Sequence, residues 1–240
     1  FKTAQIGTTG VIAEGYKQEK TLTAPDALTI QKLLKSLVND GFSHVVMEVS
    51  SHALHQLRVH NVNFDVAIFT NLTPEHLDYH KTMENYFKVK STLFNLLNEK
   101  NGKAVINYDD DYGKKLASKL NCDVALFSKT DLTKSFFSQI KDNKNTINGI
   151  IKSYRGSYKI ESNLIGSFNL ENILAAVTTL DSLKISENAI TQGIKTCKNV
   201  PGRLESFSVK TGAKVIIDYA HTPDAYDKIL STLKSVLTKE

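Results

Sequence analysis

Short apolar runs alternate with segments of helical periodicity from residue 26 to residue 127, and that alternation leaves few architectures open. Residues 26–39 place Ile30, Leu33, Leu34 and Leu37 at i, i+3, i+4 and i+7, the stripe of an amphipathic helix. Pro25 sits where a first-turn proline belongs, and Gly41 follows as the stop. His44–Val49 then reads as a buried strand, and Phe64–Phe69 as another. Residues 82–99 are expected to form a helix with Met83, Phe87, Lys90, Phe94 and Leu97 on one face. Strands at 103–107 and 124–127 bracket a helix at 109–120. Strands that alternate with helices in this way imply an α/β fold, with a mostly parallel sheet flanked by helices.

Beyond residue 136 the pattern shifts to short polar–apolar alternations separated by Asn-, Lys- and Gly-rich turns, which predicts antiparallel hairpins appended to the sheet. Helices are expected again at 169–182 and 186–197. Pro201-Gly202 breaks the chain before strands at 205–209 and 214–218 and a final helix at 223–237. Pro201 is read as a hinge, so residues 1–200 form a main domain and 201–240 open a second α/β domain. The opening Phe1–Ile6 reads as a strand entered mid-fold, and the chain as a piece of a longer polypeptide.

Composition narrows the function classes. The net charge is +5, but Arg58, Arg155 and Arg203 are the only arginines among 30 basic residues, and the lysines are dispersed. Nucleic-acid modules gather their basic residues on one face, so a solvated lysine-rich surface is expected and nucleic acid is not. No apolar run approaches the length of a membrane span, and no membrane partner is expected. Two cysteines, Cys122 and Cys197, make no disulfide framework, which points to a reducing cytoplasm.

The densest polar cluster lies between residues 48 and 90. Glu48 ends an apolar strand and is followed by Ser50, Ser51 and His52; the next strand runs into Thr70–His80, which carries His76. Ligands of open parallel sheets bind beyond the carboxyl ends of the strands. A carboxylate and an imidazole delivered to one rim suit a divalent metal over a phosphate, where Mg²⁺ keeps several waters and few protein ligands. A strand-end Glu and a loop His facing solvent fit the spacing equally well. Lys90 also has two readings. On an apolar helix face its amine is pushed toward the neutral form, which CO₂ can carbamylate into an anionic ligand; alternatively its stem covers apolar surface while its head reaches water.

Taken in order, several of these stretches closely resemble the Mur ligase family, in particular its UDP-N-acetylmuramyl-tripeptide synthetase branch. They are Met47–Leu54 with Arg58, Phe64–His80, Lys88-Val89-Lys90-Ser91, Gly166–Asn172 with Ala175-Ala176, Pro201-Gly202-Arg203, and Asp218–Asp224. The resemblance implies a central ATP-binding domain over 1–200 and the beginning of the C-terminal domain over 201–240. It implies Mg²⁺ ligands at Glu48 and His76, with Lys90 as a carbamate helping to hold a second metal. It implies contacts to a UDP-muramyl-peptide from Thr23, Ser50 and Arg58, whose guanidinium can clamp carboxylate or phosphate oxygens. Asn169 and Asn172 match positions near adenine, although Asn also suits a helix N-cap. Arg203 and Asp218 match contacts to ATP phosphates and ribose, although Asp218 also suits a strand-end turn. His221 and Thr222 match second-tier ATP contacts, although Thr222-Pro223 is itself a good helix start.

The activity implied is ATP-dependent addition of the third amino acid to UDP-N-acetylmuramoyl-L-Ala-D-Glu through an acyl phosphate, with ATP, the UDP-muramyl-dipeptide and an amino acid as partners. The whole enzyme is expected to be a cytoplasmic monomer. The pattern departs from the family in several places. The Gly-rich loop ending in Gly-Lys-Thr is not in this sequence and is expected upstream of Phe1, and the family's uridine-binding N-terminal domain and most of its C-terminal domain are likewise not in it. Thr23-Ala24-Pro25 stands where Thr-Thr-Pro is common, and Glu75 precedes His76 where Asp is usual. A sister amide ligase of the folylpolyglutamate-synthase or cyanophycin-synthetase kind would share Glu48, His76 and Lys90, but is not expected to combine Ser50 with Arg58. A non-catalytic ligand-binding module is the remaining reading.

Overall fold

A computed structural model describes residues 1–17, 22–143, 146–197, 200–211 and 213–237. They form two compact units, one of residues 1–67 and 76–102, the other of 68–75 and 103–240.

The first unit is built on a three-stranded sheet. β1 (Thr3–Gly7) turns through Thr8-Thr9 into the short antiparallel β2 (Gly10–Ile12). Gly10 has φ +89°, a backbone conformation that glycine adopts without steric cost. Helix α1 (Ala27–Asn39) is capped by Asp26, whose side chain accepts from the Thr29 N–H at 3.0 Å. The cap falls two residues later than a first-turn Pro25 would place it, so Pro25 precedes the helix. The C-terminal stop is as expected. Gly41 takes φ +78°, and the Gly41 and Phe42 N–H groups close onto Val38 and Leu37 carbonyls, satisfying groups a helix end leaves open. Ile30 and Leu37 are buried on the inner face of α1.

β3 (His44–Met47) pairs in parallel with β1, in register from Thr3 with His44 to Ile6 with Met47. Its burial departs from the expectation, since Val46 is 62% exposed. β3 is the edge of its sheet among the described residues, and one neighbouring strand does not cover an apolar run. The short helix α2 (Ser51–His55) follows directly, and its Ala53, Leu54 and the next Val59 join Ala24 and Ile30 in one core cluster.

β4 (Val66–Phe69) ends the second apolar run, with Ala67 and Phe69 buried. A short helix α3 (Leu77–His80) follows, and the helix expected over 82–99 is cut short: α4 (Met83–Ser91) is capped by Thr82, and Thr92–Leu96 is a 3₁₀ turn. The break places Phe64 beside the tightened turn. The Phe64 N–H donates to Leu96 and its carbonyl accepts from Asn98, pairing that competes with continuation of the α-helix. Phe87 and Phe94 are buried as the apolar face predicted.

In the second unit β5 (Lys103–Asn107) lies at the centre of the order β4-β5-β6, pairing in parallel with β6 (Asp123–Phe127). α5 (Asp111–Ala117), capped by Asp110, connects them. Ala104, Val105 and Ile106 are fully buried, as expected of a strand covered on both faces. The predicted hairpins form the antiparallel sheet β7 (Phe136–Asn143), β8 (Thr146–Lys152) and β9 (Ser157–Ser162). Helix α6 (Ser167–Ser182) packs on β5 and β6, and α7 (Glu187–Thr196) packs on β9. The chain ends in the hairpin β10 (Glu205–Ser208) and β11 (Lys214–Ile217), then helix α8 (Pro223–Leu237). Among the described residues no helix is long and apolar enough to cross a membrane.

Candidate active site

In the first unit, the carboxyl ends of β1 and β3 bring together two of the residues singled out by sequence, Glu48 and Thr23, through Thr8. The Glu48 N–H extends the parallel ladder by donating to the Ile6 carbonyl at 2.8 Å, so Glu48 emerges beside Gly7-Thr8. Its Oε2 accepts from the Thr8 N–H at 3.1 Å and from the Thr8 hydroxyl at 2.7 Å. Thr23 Oγ1 lies 3.3 Å from the same Thr8 hydroxyl. Sequence reasoning missed Thr8. The available signal was a strand that ends in Gly-Thr-Thr-Gly, a tight turn beside another strand end.

Arg58 is anchored on the loop that carries Thr23. Its Nη1 donates to the Ala24 carbonyl at 3.0 Å, while Nε donates to Gln56 Oε1 at 2.9 Å and Nη2 donates to the same oxygen. The planar guanidinium is thereby oriented before any ligand arrives. Ala24 is fully buried against Ile30, Ala53, Leu54 and Val59. A hydroxyl at that position would enter an apolar cluster, so alanine in place of threonine fits the packing here. Ser50 caps α2, its Oγ accepting from the Ala53 N–H at 3.2 Å, a role compatible with its lying beside a ligand.

His76 sits at φ +57°, ψ 27°, the left-handed region that non-glycine residues adopt sparingly and that clusters at functional sites. Its ring meets the edge of His52 at 4.8 Å and lies 6.1 Å from Tyr86. Around it His80 stacks on Tyr86 at 4.9 Å, and His55 Nδ1 pairs with the Tyr79 hydroxyl at 2.7 Å. Burial first, then the neighbouring histidines, holds His80 below its ordinary pKa; His52 is lowered by burial and then by His76. Lys90 is half-buried, with Nζ 5.6 Å from the centroid of Tyr86. That contact is open to both sequence readings of Lys90.

Among the described residues, no three His, Cys, Asp or Glu side chains converge as a ready-made metal cage. Mg²⁺ does not require one, because it is usually bound through one or two protein ligands and retains water. The donors present suit it. Both hydrogen bonds of the Glu48 carboxylate among the described residues fall on Oε2, and Gly7 leaves room for the group; a Cβ at residue 7 would lie 2.6 Å from Glu48 Cδ and Oε1.

The second unit holds the remaining candidates. Asn169 is not the N-cap, because α6 begins at Ser167 with Gly166 as cap at φ +94°. Asn169 instead lies in the first turn, donating through Nδ2 to the Ile165 carbonyl at 2.7 Å and accepting at Oδ1 from Asn172 Nδ2 at 3.0 Å. Asp218 is occupied as a turn residue, with Oδ1 accepting from the Ala220 N–H at 2.7 Å and Oδ2 from the Leu204 N–H at 2.8 Å. Arg203 lies over the Tyr219 ring at 5.6 Å. His221 Nε2 is 3.1 Å from Glu75 Oε1, and Thr222 caps α8 by accepting from the Ala225 N–H at 3.3 Å.

Residues 1–180 match the model of the Mur ligase middle domain. The chain is 41% identical over 221 residues to the UDP-N-acetylmuramoyl-L-alanyl-D-glutamate–2,6-diaminopimelate ligase of Geobacter metallireducens, covering 90% of this chain and 43% of that protein. It is 39% identical over 235 residues to the ligase of the same name from Synechocystis, covering 96% of this chain and 46% of the relative. A solved structure of a ligase of this name superposes with a TM-score of 0.79 at 29% identity, over 97% of this chain and 48% of that one. An apo folylpolyglutamate synthase of L. casei shares the fold alone, with a TM-score of 0.74 at 16% identity over 99% of this chain and 65% of that one. The chain thus spans less than half the length of the curated relatives it matches. The middle-domain match over residues 1–180 and the identity to these relatives agree, and the chain belongs to the Mur ligase family.

Proposed function

We propose that the whole protein is an ATP-dependent ligase that adds the third amino acid to UDP-N-acetylmuramoyl-L-alanyl-D-glutamate, a step of peptidoglycan synthesis in the cytoplasm. The observation that carries this reading is the joining of Glu48, Thr8 and Thr23 at adjacent strand ends, with Arg58 anchored on the Thr23 loop. The relatives' names support the same acceptor and make 2,6-diaminopimelate the first amine to test. In this reading residues 1–200 are the central ATP-binding domain, 201–240 open the C-terminal domain, and the enzyme acts as a monomer without nucleic-acid or membrane partners.

Glu48 and His76 would hold Mg²⁺, and Lys90, as a carbamate, would help to hold a second metal ion. A bound cation supplies charge neutralisation at the phosphates, the principal requirement of phosphoryl transfer. Thr23, Ser50 and Arg58 hold the UDP-muramyl-dipeptide and orient its terminal carboxylate. That carboxylate attacks the γ-phosphorus of ATP and ADP leaves; the amine of the amino acid then attacks the acyl phosphate carbon through a tetrahedral intermediate, and phosphate departs. Asn169 and Asn172 border the adenine, while Arg203, Asp218, His221 and Thr222 contribute second-domain contacts to ATP. Amide formation by the purified whole protein, dependent on ATP, acceptor and amine together, tests the reading; ATP hydrolysis indifferent to acceptor and amine counts against it.

A further inference from the structure

The turn between β1 and β2 reaches the Glu48 carboxylate from the neighbouring strand. Because β1 and β3 run parallel and in register, Gly7-Thr8 and Glu48 leave the sheet side by side. Thr8 directs two donors, its N–H and its hydroxyl, onto the single oxygen Oε2. Two converging donors restrict a carboxylate's rotation more than one, and hydrogen bonds to an ionised acceptor are among the stronger kind. Gly7 completes the cradle, since a Cβ there would overlap Glu48 Cδ and Oε1 at 2.6 Å. A hydroxyl has one proton to donate, and that of Thr8 is engaged by Glu48. The 3.3 Å contact with Thr23 therefore takes its proton from Thr23, giving a directed chain from Thr23 through Thr8 to Glu48.

We propose that Thr8 is a positioning residue that fixes Glu48 for a divalent cation and ties this ligand to Thr23, with Gly7 supplying the space. The inference rests on the roles given above to Glu48 as a metal ligand and Thr23 as an acceptor contact. Outer partners of metal-bound carboxylates orient them, and losing one weakens metal binding. A donor group of the bound acceptor, an amide N–H or a sugar hydroxyl directed at Thr23 Oγ1, reinforces the chain, so the acceptor and cation sites strengthen each other.

The test uses the whole protein with a non-hydrolysable ATP analogue, Mn²⁺ as the probe and electron paramagnetic resonance as the readout, so that no turnover is needed. Thr8→Val should weaken Mn²⁺ binding about 10-fold, within the range expected on loss of such a partner. Thr8→Ser, which keeps the hydroxyl, should stay near wild type, and Gly7→Ala should bind as poorly as Thr8→Val. UDP-N-acetylmuramoyl-L-Ala-D-Glu should tighten Mn²⁺ binding in the wild type and not in Thr8→Val, while thermal melting of both serine and valine variants stays unchanged. Wild-type Mn²⁺ affinity in Thr8→Val, with Glu48→Gln impaired, overturns the positioning role alone. Wild-type affinity in Glu48→Gln overturns the ligand role of Glu48, and this proposal with it.

Discussion

His80 Nε2 and Ser51 Oγ lie 2.9 Å apart, and both side chains are buried. Ser51 is three residues beyond Glu48 and His80 four beyond His76, so one hydrogen bond pins the start of α2 to α3. Stacking of His80 on Tyr86 extends the pin to α4. Ser51→Ala should cost about 1–3 kcal/mol, because it leaves a buried imidazole nitrogen without its partner. His80→Ala, which also removes a packed ring, should cost about 2–5 kcal/mol. Urea denaturation of the purified chain measures both; equal stability of wild type and the two variants contradicts the pin.

The same residue sets an acid limit. Burial lowers the His80 pKa from 6.5, followed by repulsion from His52, His55 and His76, with Asp78 acting in the opposite sense. The folded chain therefore takes up its proton later than the unfolded chain as pH falls. This stability is fully present above 6.5 and is lost as pH drops through the depressed value. The unfolding midpoint of wild type should fall as pH is lowered from 7 toward about 5, and His80→Phe should flatten that slope. A slope unaltered in His80→Phe contradicts the assignment.

A buried carboxylate in the second unit sets an alkaline limit. Asp181 is fully buried and accepts from Ser153 Oγ at 2.7 Å, the Arg155 N–H at 3.2 Å and the Tyr158 hydroxyl. Burial, then the Asp181 carboxylate, pushes the Tyr158 phenol up to about 12. Its folded pKa is raised, so the contribution is present below pH 10 and disappears as pH rises toward 12. Tyr158→Phe should lose about 1–3 kcal/mol at neutral pH and show less alkaline destabilisation above pH 10. Denaturation curves at pH 7, 10 and 11 check both signs.

Arg58→Lys in the whole protein should weaken acceptor binding while leaving ATP binding nearly unchanged. Lysine cannot span the Ala24 carbonyl and Gln56 Oε1 and still present a planar fork. Calorimetric titrations with each ligand decide this; equal losses for both contradict the role of Arg58.

Lys90→Ala should abolish most ligase activity of the whole protein, and a short carboxylic acid should restore part of it by supplying the missing anion. A lysine that merely covers Tyr86 would give a modest stability loss, near-normal turnover and no rescue.

The sequence carries the strands of the second unit and the helix between them well, because β5 and β6 have apolar centres at Ala104–Ile106 and Val124–Phe127 and α5 has a clear Asp110 cap. It misleads at 82–99, where continuous helical periodicity hides the pairing of Phe64 with Leu96 and Asn98, a contact between distant segments. It also misjudges β3, since an apolar run does not state how many neighbours cover it. Within the site Glu48 was legible as a strand-end carboxylate, whereas Thr23 and Arg58 came only from the resemblance to the Mur ligases. Thr8, Ser51 and His80 were not legible, because their roles come from parallel register and from the crossing of α2 and α3.

The decisive measurement incubates the purified whole protein with Mg²⁺, ATP, UDP-N-acetylmuramoyl-L-alanyl-D-glutamate and 2,6-diaminopimelate, and follows the UDP-linked product by mass spectrometry. A UDP-muramyl-tripeptide should form only when all components are present, with one phosphate released for each amide made. The absence of any tripeptide with diaminopimelate, lysine or another amino acid, from protein that is folded and binds ATP, would contradict the proposed ligase function.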